Sequence, residues 1–458
     1  MSLTTPDAQQ RRTFEAEDVF FSVTDPKGVI THANQTFLRL ADLTAAQAIG
    51  SPHNVIRHPQ MPGGAFRLIW DELGEGRPVC LYMANEARDG LRYDVVATVA
   101  PIDGGYLSVR LRPGVPELES AVFTAYDAAA AVEADERAAG ASRHEAAQEG
   151  STALLACLGE LGFSSLAEFT RHVLPREIEA FLAVVPPAAP DPAAGALGLV
   201  LASTAAIARS ITPFVARLGD YEQLAQRVLA ERASIAPAIA ELTDLAVQIS
   251  RVGELVDQNA ASAHSIELTE LSELTQRMVG WLNDAIAGFE ALPAKLEPLQ
   301  IALRDLAMRT SMVVLLNHVL GQFTAEVIAS GQERGTEVRL LHGALNHSLV
   351  QVETELESVK DLLGDIPRAV ETTVRSADKV MLRVDGWNDR LIAADLGSDG
   401  AEIASLSTAV RAEFARRMKT QYEIVGLSAR LRQTPVRFET AEIREQLQHI
   451  SAGVASLA

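Results

Sequence analysis

The sequence predicts a two-part fold: an α+β N-terminal domain, built on a five-stranded antiparallel sheet with short helices, followed by a mostly all-α region of helical bundle and coiled coil. Three observations carry this reading. Up to residue 113, short β-prone runs alternate with turns that carry Gly and Pro. Beyond residue 193, apolar residues recur at spacings of three, four and seven. Aromatic residues are scarce, 5% of the chain, and Ala is abundant, which favours helix over a large all-β core.

The N-terminal elements follow in order. Residues 19–24 form a short apolar run, Asp25-Pro26-Lys27-Gly28 a turn, and residues 29–33 a second strand. Asn34 then stands where a helix N-cap belongs, ahead of Phe37, Leu38 and Leu40. Residues 51–62 place His53, Arg57 and His58 among Pro52, Pro59 and Pro62. Such a run is too Pro-rich for a helix interior or a central strand. It is a rigid loop carrying polar groups, where small-molecule sites often occur. A helix over residues 63–73 and strands at 79–84, 92–99 and 106–111 complete the domain, with turns at Arg88-Asp89-Gly90 and Asp103-Gly104-Gly105.

Over residues 15–126 the chain resembles the PAS sensor domain of bacterial aerotaxis receptors. The resemblance rests on Thr24-Asp25 with Gly28, on Ile30-Thr31-His32-Ala33-Asn34 and on Gly50-Ser51-Pro52-His53-Asn54. It continues through Arg57-His58-Pro59, Met61-Pro62, Phe66, Trp70 and Asn85. Those receptors are redox sensors that hold FAD, so the resemblance implies a bound FAD. Asn34, Arg57, His58 and Asn85 match positions used around the flavin, and Gln60, Trp70 and Val79 join them as candidate cofactor residues. Two of these depart from the family: Gln60 stands where it has Asp, and Val79 where it has Trp. The first exchanges a charge for an amide. The second removes a flat pocket wall.

Plainer readings stand beside these. Asn34 is explained by a cap alone, and Arg57 and His58 by bonds that pin their loop. Trp70, one turn from Phe66, reads as core, and Cys80 as a small buried hydrophobe.

The segments expected are a polar tail (1–14), the PAS domain (15–113), a connector helix with a flexible joint at Gly140–Gly150 (114–150), short helices ending in a Pro-rich break (151–192) and helical output (193–458). In the output region Leu345, Leu349, Val352, Leu356, Val359, Leu363, Ile366 and Val370 alternate spacings of four and three, a heptad seam. A looser stripe runs through Leu406, Val410, Phe414, Met418, Tyr422 and Val425. Breaks are expected at Pro293 and Pro298, Gly331 to Gly335, Pro367, Gly397 to Gly400 and Pro435.

A net charge of −20 with no basic stripe disfavours nucleic acid and anionic lipid as partners. Cys80 and Cys157, the only cysteines, give neither a disulfide framework nor a zinc site and fit a reducing cytoplasm. The apolar run at 193–208 is short for a spanning helix, so no membrane anchor is expected. Phosphate loops, nucleophile elbows and metal-spaced clusters do not occur, so no enzyme is expected. The expectation is a cytoplasmic, homodimeric signalling protein that relays flavin state to a protein partner, with the chemotaxis machinery as the class the resemblance implies. The alternative is a cofactor-free PAS dimerisation module on a helical scaffold.

Overall fold

Strands Phe20–Thr24 (β1), Ile30–Ala33 (β2), Val79–Glu86 (β3), Arg92–Ile102 (β4) and Gly105–Leu111 (β5) pair antiparallel in the order β2-β1-β5-β4-β3. The computed structural model describes residues 3, 11–191, 195–215, 218–263, 265–331, 333–433 and 440–457. Register places Phe20, Ser22 and Thr24 opposite Arg110, Ser108 and Tyr106, and Val99 and Ala97 opposite Ser108 and Arg110. Directly opposed residues share a face. One face of the sheet therefore carries a polar strip along its centre.

Gln35–Ala41 (α1), Ala45–Ala48 (α2), a 3-10 turn at His53–Ile56 and Gly63–Gly74 (α3) lie between β2 and β3. The five strands and intervening short helices are the architecture expected. Residues 11–14, assigned to a polar tail, belong to the domain instead. Phe14 packs edge-on against Phe20 at 5.8 Å, and Arg11 and Arg12 pair with Asp94 and Asp89. Leu3 is buried too, its N–H on Asp127 at 2.7 Å; residues 4–10 lie outside the described residues.

After β5, Pro116–Ala138 (α4), Arg143–Glu160 (α5) and Leu166–Leu182 (α6) wrap the β3 side of the domain. The joint expected over residues 140–150 is only a turn at Gly140. Ser142 and Glu145 form a capping box that starts α5 at once. α6 is tied to β3: Cys80 N–H donates to Thr170 Oγ1 at 3.0 Å. Tyr82 donates to buried Glu177 at 2.5 Å, which also accepts from the Gly114 and Val115 N–H groups.

The chain then breaks at residues 185–191 and continues as Gly195–Val215 (α7), Leu218–Ala263 (α8), Ile266–Ser330 (α9), Gly335–Ala393 (α10), Gly400–Gln433 (α11) and Thr440–Ala455 (α12). The glycine breaks are where expected; the proline breaks are not. α9 runs through Pro293 and Pro298, and α10 through Pro367. An internal proline costs about 3 kcal/mol. Burial of Leu292, Leu296 and Leu299, and of Ile366 and Val370, offsets it. Pro435 lies outside the described residues.

Two compact units result, and none of the boundaries between them falls at residue 193. The first contains Met1–Leu218, Asp305–Glu353 and Phe438–Ala458; the second contains Gly219–Arg304 and Thr354–Arg437. Within the first, the end of α9 covers the apolar face of the sheet. Phe21 meets Phe323 edge-on at 5.1 Å, Gln322 donates to the Glu17 carbonyl, and Glu326 accepts from Gln35 N–H. α7 packs on α12, where a Cβ at Gly453 would lie 3.0 Å from the Ala196 carbonyl oxygen. α7 and α9 are long and apolar enough to cross a bilayer; half of the apolar stretch of α7 and 72% of that of α9 are buried within the protein.

Within the second unit, Trp387 Nε1 donates to Thr275 Oγ1 at 2.8 Å, and the seam residues Leu356, Val359, Ile366 and Val370 are buried. Leu345, Leu349 and Val352 are buried in the first unit, and Leu363 is half-buried. The seam thus closes within one chain. In the second stripe Val410 and Phe414 are buried and Leu406 half-buried; the side chains of Met418, Tyr422 and Val425 are outside the described set.

Candidate ligand cavity in the N-terminal domain

The polar strip of the sheet faces a cavity of about 300 Å³ closed by the 3-10 turn and α3. Phe66, Ile69, Met83 and Val99 give it apolar walls, and Arg57, Ser108 and Arg110 its polar groups. Trp70 stands at the mouth with Lys27 and Asn54. A larger cavity, about 570 Å³, lies on the other face of the sheet. There the cations Arg309 and Arg339 bond Gln351 and the Leu457 carbonyl.

Arg110 is the centre of the smaller cavity's chemistry. It is 2% exposed. It donates to His53 Nε2 at 2.5 Å and to Ser22 Oγ at 3.2 Å, and its Nε has no partner. Among the described residues no carboxylate bonds to it. Burial pulls the guanidinium down to about 10. Burial, and then the Arg110 charge, hold His53 well below its ordinary range, so its ring is neutral and accepts. Three more buried polar atoms in this core lack partners: Ser108 Oγ, Asn85 Nδ2 and Tyr93 Oη.

The seven candidate residues separate on this geometry. Arg57 and Trp70 line the cavity; Asn34, His58, Gln60, Val79 and Asn85 do not. Arg57 lies 4.1 Å over the Phe66 ring and donates to the Met61 carbonyl at 2.6 Å, and burial lowers its pKa. Trp70 is not core. It is 43% exposed and stands edge-on to Tyr106 at 5.4 Å. Asn34 is fully engaged as a cap: Oδ1 accepts from Phe37 and Phe21 N–H, and Nδ2 donates to the Val19 carbonyl. His58 Nδ1 accepts from the Gln60 N–H, which fixes the loop; burial, then Arg92, lowers its pKa. Val79 is fully buried and pairs with Val99, so it shares the cavity's face of the sheet without lining the cavity. Asn85 is buried on the same strand face as Met83, and its backbone bridges to Arg57. Cys80 points to the other face, accepts from Thr98 Oγ1 and is pushed up to about 12 by burial, an inert thiol.

The sequence is 38% identical over 113 residues to the aerotaxis receptor of Escherichia coli K12, 23% of this chain and 22% of the receptor. With the strand order above, that match decides the domain. The N-terminal domain is a PAS domain. Its sensor kinship extends to the nitrogen fixation regulatory protein of Klebsiella pneumoniae, 30% identical over 88 residues, 19% of this chain and 18% of that protein. The chain thus spans about a fifth of the length of the curated relatives it matches. No family model matches it. Among solved structures, the PAS domain of a Colwellia psychrerythraea protein aligns at 20% identity and TM-score 0.20, covering 21% of this chain and 86% of that one. A Rhodobacter sphaeroides LOV protein aligns at 18% identity and TM-score 0.21, covering 31% and 89%.

Arg110, Ser108 and Tyr106 of the PAS cavity, and Ser22 that bonds Arg110, are absent from the sequence-based candidates. Their signal was the alternation of β5, in which Ser108 and Arg110 interleave with Leu107, Val109 and Leu111. Such alternation ordinarily reads as polar groups facing water. Here the apolar face is covered by α9 and the polar face looks inward.

Proposed function

We propose that this chain is a redox- or energy-sensing signal-transduction protein that holds FAD in its PAS cavity and relays the flavin's state through helices to a protein partner. One observation supports this above the others. The cavity is walled by apolar and aromatic groups, while Arg110 and Ser108, which line it, each carry a polar atom without a partner, Nε and Oγ. A planar heterocycle with polar edges has that complementarity. The volume suits the ring portion of the cofactor, and the mouth at Lys27, Asn54 and Trp70 leaves a path for the remainder. Arg57, Ser108 and Arg110 would bond the ring edges, and Phe66, Ile69, Met83 and Val99 would pack its faces and exclude water. When bound, the flavin supplies reversible electron uptake.

The relay begins at Arg57, whose guanidinium touches both Phe66 of α3 and the Met61 carbonyl just before it. The first two N–H groups of α3, Gly63 and Gly64, are held by Glu133 of α4 at 2.9 and 2.7 Å. A change at the cavity that shifts α3 is therefore felt by α4. A signal passes only if the two cofactor states favour different α3–α4 packings. The output is a cytoplasmic protein–protein interaction, with chemotaxis components as the first class to examine. Self-association, if used, needs a surface other than the heptad seam. The cover of the PAS sheet by α9 favours a second reading, a cofactor-free PAS domain that scaffolds the helices.

Flavin content after purification tests the proposal. Wild type retains FAD, Arg57→Ala loses most of it, and His58→Ala, outside the cavity lining, keeps it. Full retention in both Arg57→Ala and Ser108→Leu would put the cofactor elsewhere.

A further inference from the structure

Among the described residues, one of the two buried arginines has a carboxylate partner and the other has none. Arg92 bonds Asp94 and the Leu3 carbonyl. Glu177 accepts from Tyr82, Gly114 and Val115. Arg110 is as deeply buried as either and has only neutral acceptors: His53, Ser22 and, at 3.5 Å, the Ser108 carbonyl. The rings of Phe37 and Phe20 stand 5.4 and 5.9 Å from it. A desolvated cation without an anion is costly, and removing one from a core is often neutral or stabilising. Here it borders a cavity, so a negative charge brought in by a ligand would offset that cost.

We infer that Arg110 sets the charge preference of the PAS cavity, holding the reduced, negatively charged flavin ring more tightly than the oxidised ring; this rests on the flavin reading above. In the step concerned, a donor of the reduced-nicotinamide class breaks its C–H bond and passes a hydride, two electrons with one proton, to the oxidised ring. The second proton stays off, and one negative charge remains on the ring. His53 does not supply the second proton, because burial, and then the Arg110 charge, keep its ring neutral, and its Nε2 accepts from Arg110. Ser22 and His53 hold the guanidinium in place where Arg110 lines the cavity. Charge near the ring is one of the means by which a protein tunes a flavin.

The test is a redox titration of the full chain reconstituted with FAD, read by absorbance and independent of any signalling output. Wild type binds the reduced ring at least about tenfold more tightly than the oxidised ring, which raises the midpoint about 30 mV above free FAD. Arg110→Lys keeps part of that rise; Arg110→Gln and Arg110→Met abolish it. Without cofactor, Arg110→Met melts no lower than wild type, because an unpaired buried charge has gone. A midpoint unchanged in folded, flavin-loaded Arg110→Gln overturns this inference and leaves the flavin reading standing. Loss of the fold in both Arg110→Gln and Arg110→Met makes the residue a structural cation and overturns it too. Failure of wild type to take up FAD in either redox state removes both.

Discussion

Glu133 offers the sharpest test of the relay. α3 begins after Pro62, which supplies no side-chain cap. Its first N–H groups would otherwise be unsatisfied, as at any helix start. Glu133, arriving from α4, accepts from Gly63 and Gly64 and so acts as a cap borrowed from another helix. The arrangement needs glycines. A Cβ at Gly64 would lie 2.3 Å from the Ser151 nitrogen, and one at Gly150 2.2 Å from Glu133 Oε1. In Glu133→Ala both bonds go. A lost cap costs about 1 kcal/mol and an anion at a helix N-terminus about 0.3–1 kcal/mol. The second bond is charge-assisted but half-exposed, so a total of about 2 kcal/mol is expected. That corresponds to about 30-fold faster exchange of the α3 amides if they exchange by local opening. Hydrogen exchange read by mass spectrometry on the full chain measures this peptide by peptide. α3 should lose protection while β1 and β5 keep theirs, and ligand-dependent protection of α4 should vanish. Unchanged α3 exchange in a folded Glu133→Ala protein would refute the relay as drawn.

Two further predictions concern the helical region. Burial pulls His318 down to about 4, and its ring stands edge-on to Phe181 at 4.7 Å. The folded chain keeps the ring neutral while the unfolded chain protonates below about 6.5, so this group's stability is full above pH 6.5 and is lost as pH falls toward 4. The loss is about 3 kcal/mol. Thermal melts from pH 7 to 4 should fall less steeply for His318→Gln than for wild type; parallel curves would contradict this. Leu356 is 4% exposed inside the second unit, so Leu356→Asp should cost several kcal/mol, about 3–5, and loosen α10 without changing oligomeric state. Sedimentation showing a wild-type dimer that becomes a folded monomer would place the seam between chains instead.

The sheet was legible because its turns are. Gly28, Gly90 and Gly104 all have positive φ, where turn chemistry demands glycine. The Asn34 cap was legible for the same local reason. The heptad seam was legible as a buried stripe, but periodicity does not say which helix covers it. Its burial inside one chain is a tertiary fact. The proline breaks failed because a single missing hydrogen bond is outweighed by the leucines on either side. The cavity was half legible. Arg57 and Trp70 came from the loop and helix that the resemblance marks, whereas Arg110 was hidden by its own strand. Its alternation is faithful, but which face is wet depends on the end of α9, more than two hundred residues away. Asn34 and His58 show the opposite error: polar residues near a site whose bonds are spent on holding the backbone.

The central claim is that the PAS cavity holds a flavin. The absorption spectrum of the purified full chain, with mass identification of whatever is released on denaturation, tests it most directly. The account predicts flavin bands in near-stoichiometric amount, bleached by reduction, and release of FAD. A protein that purifies without those bands and takes up no FAD on reconstitution, although its PAS domain is folded, would contradict the account and leave the helical scaffold as the function to pursue.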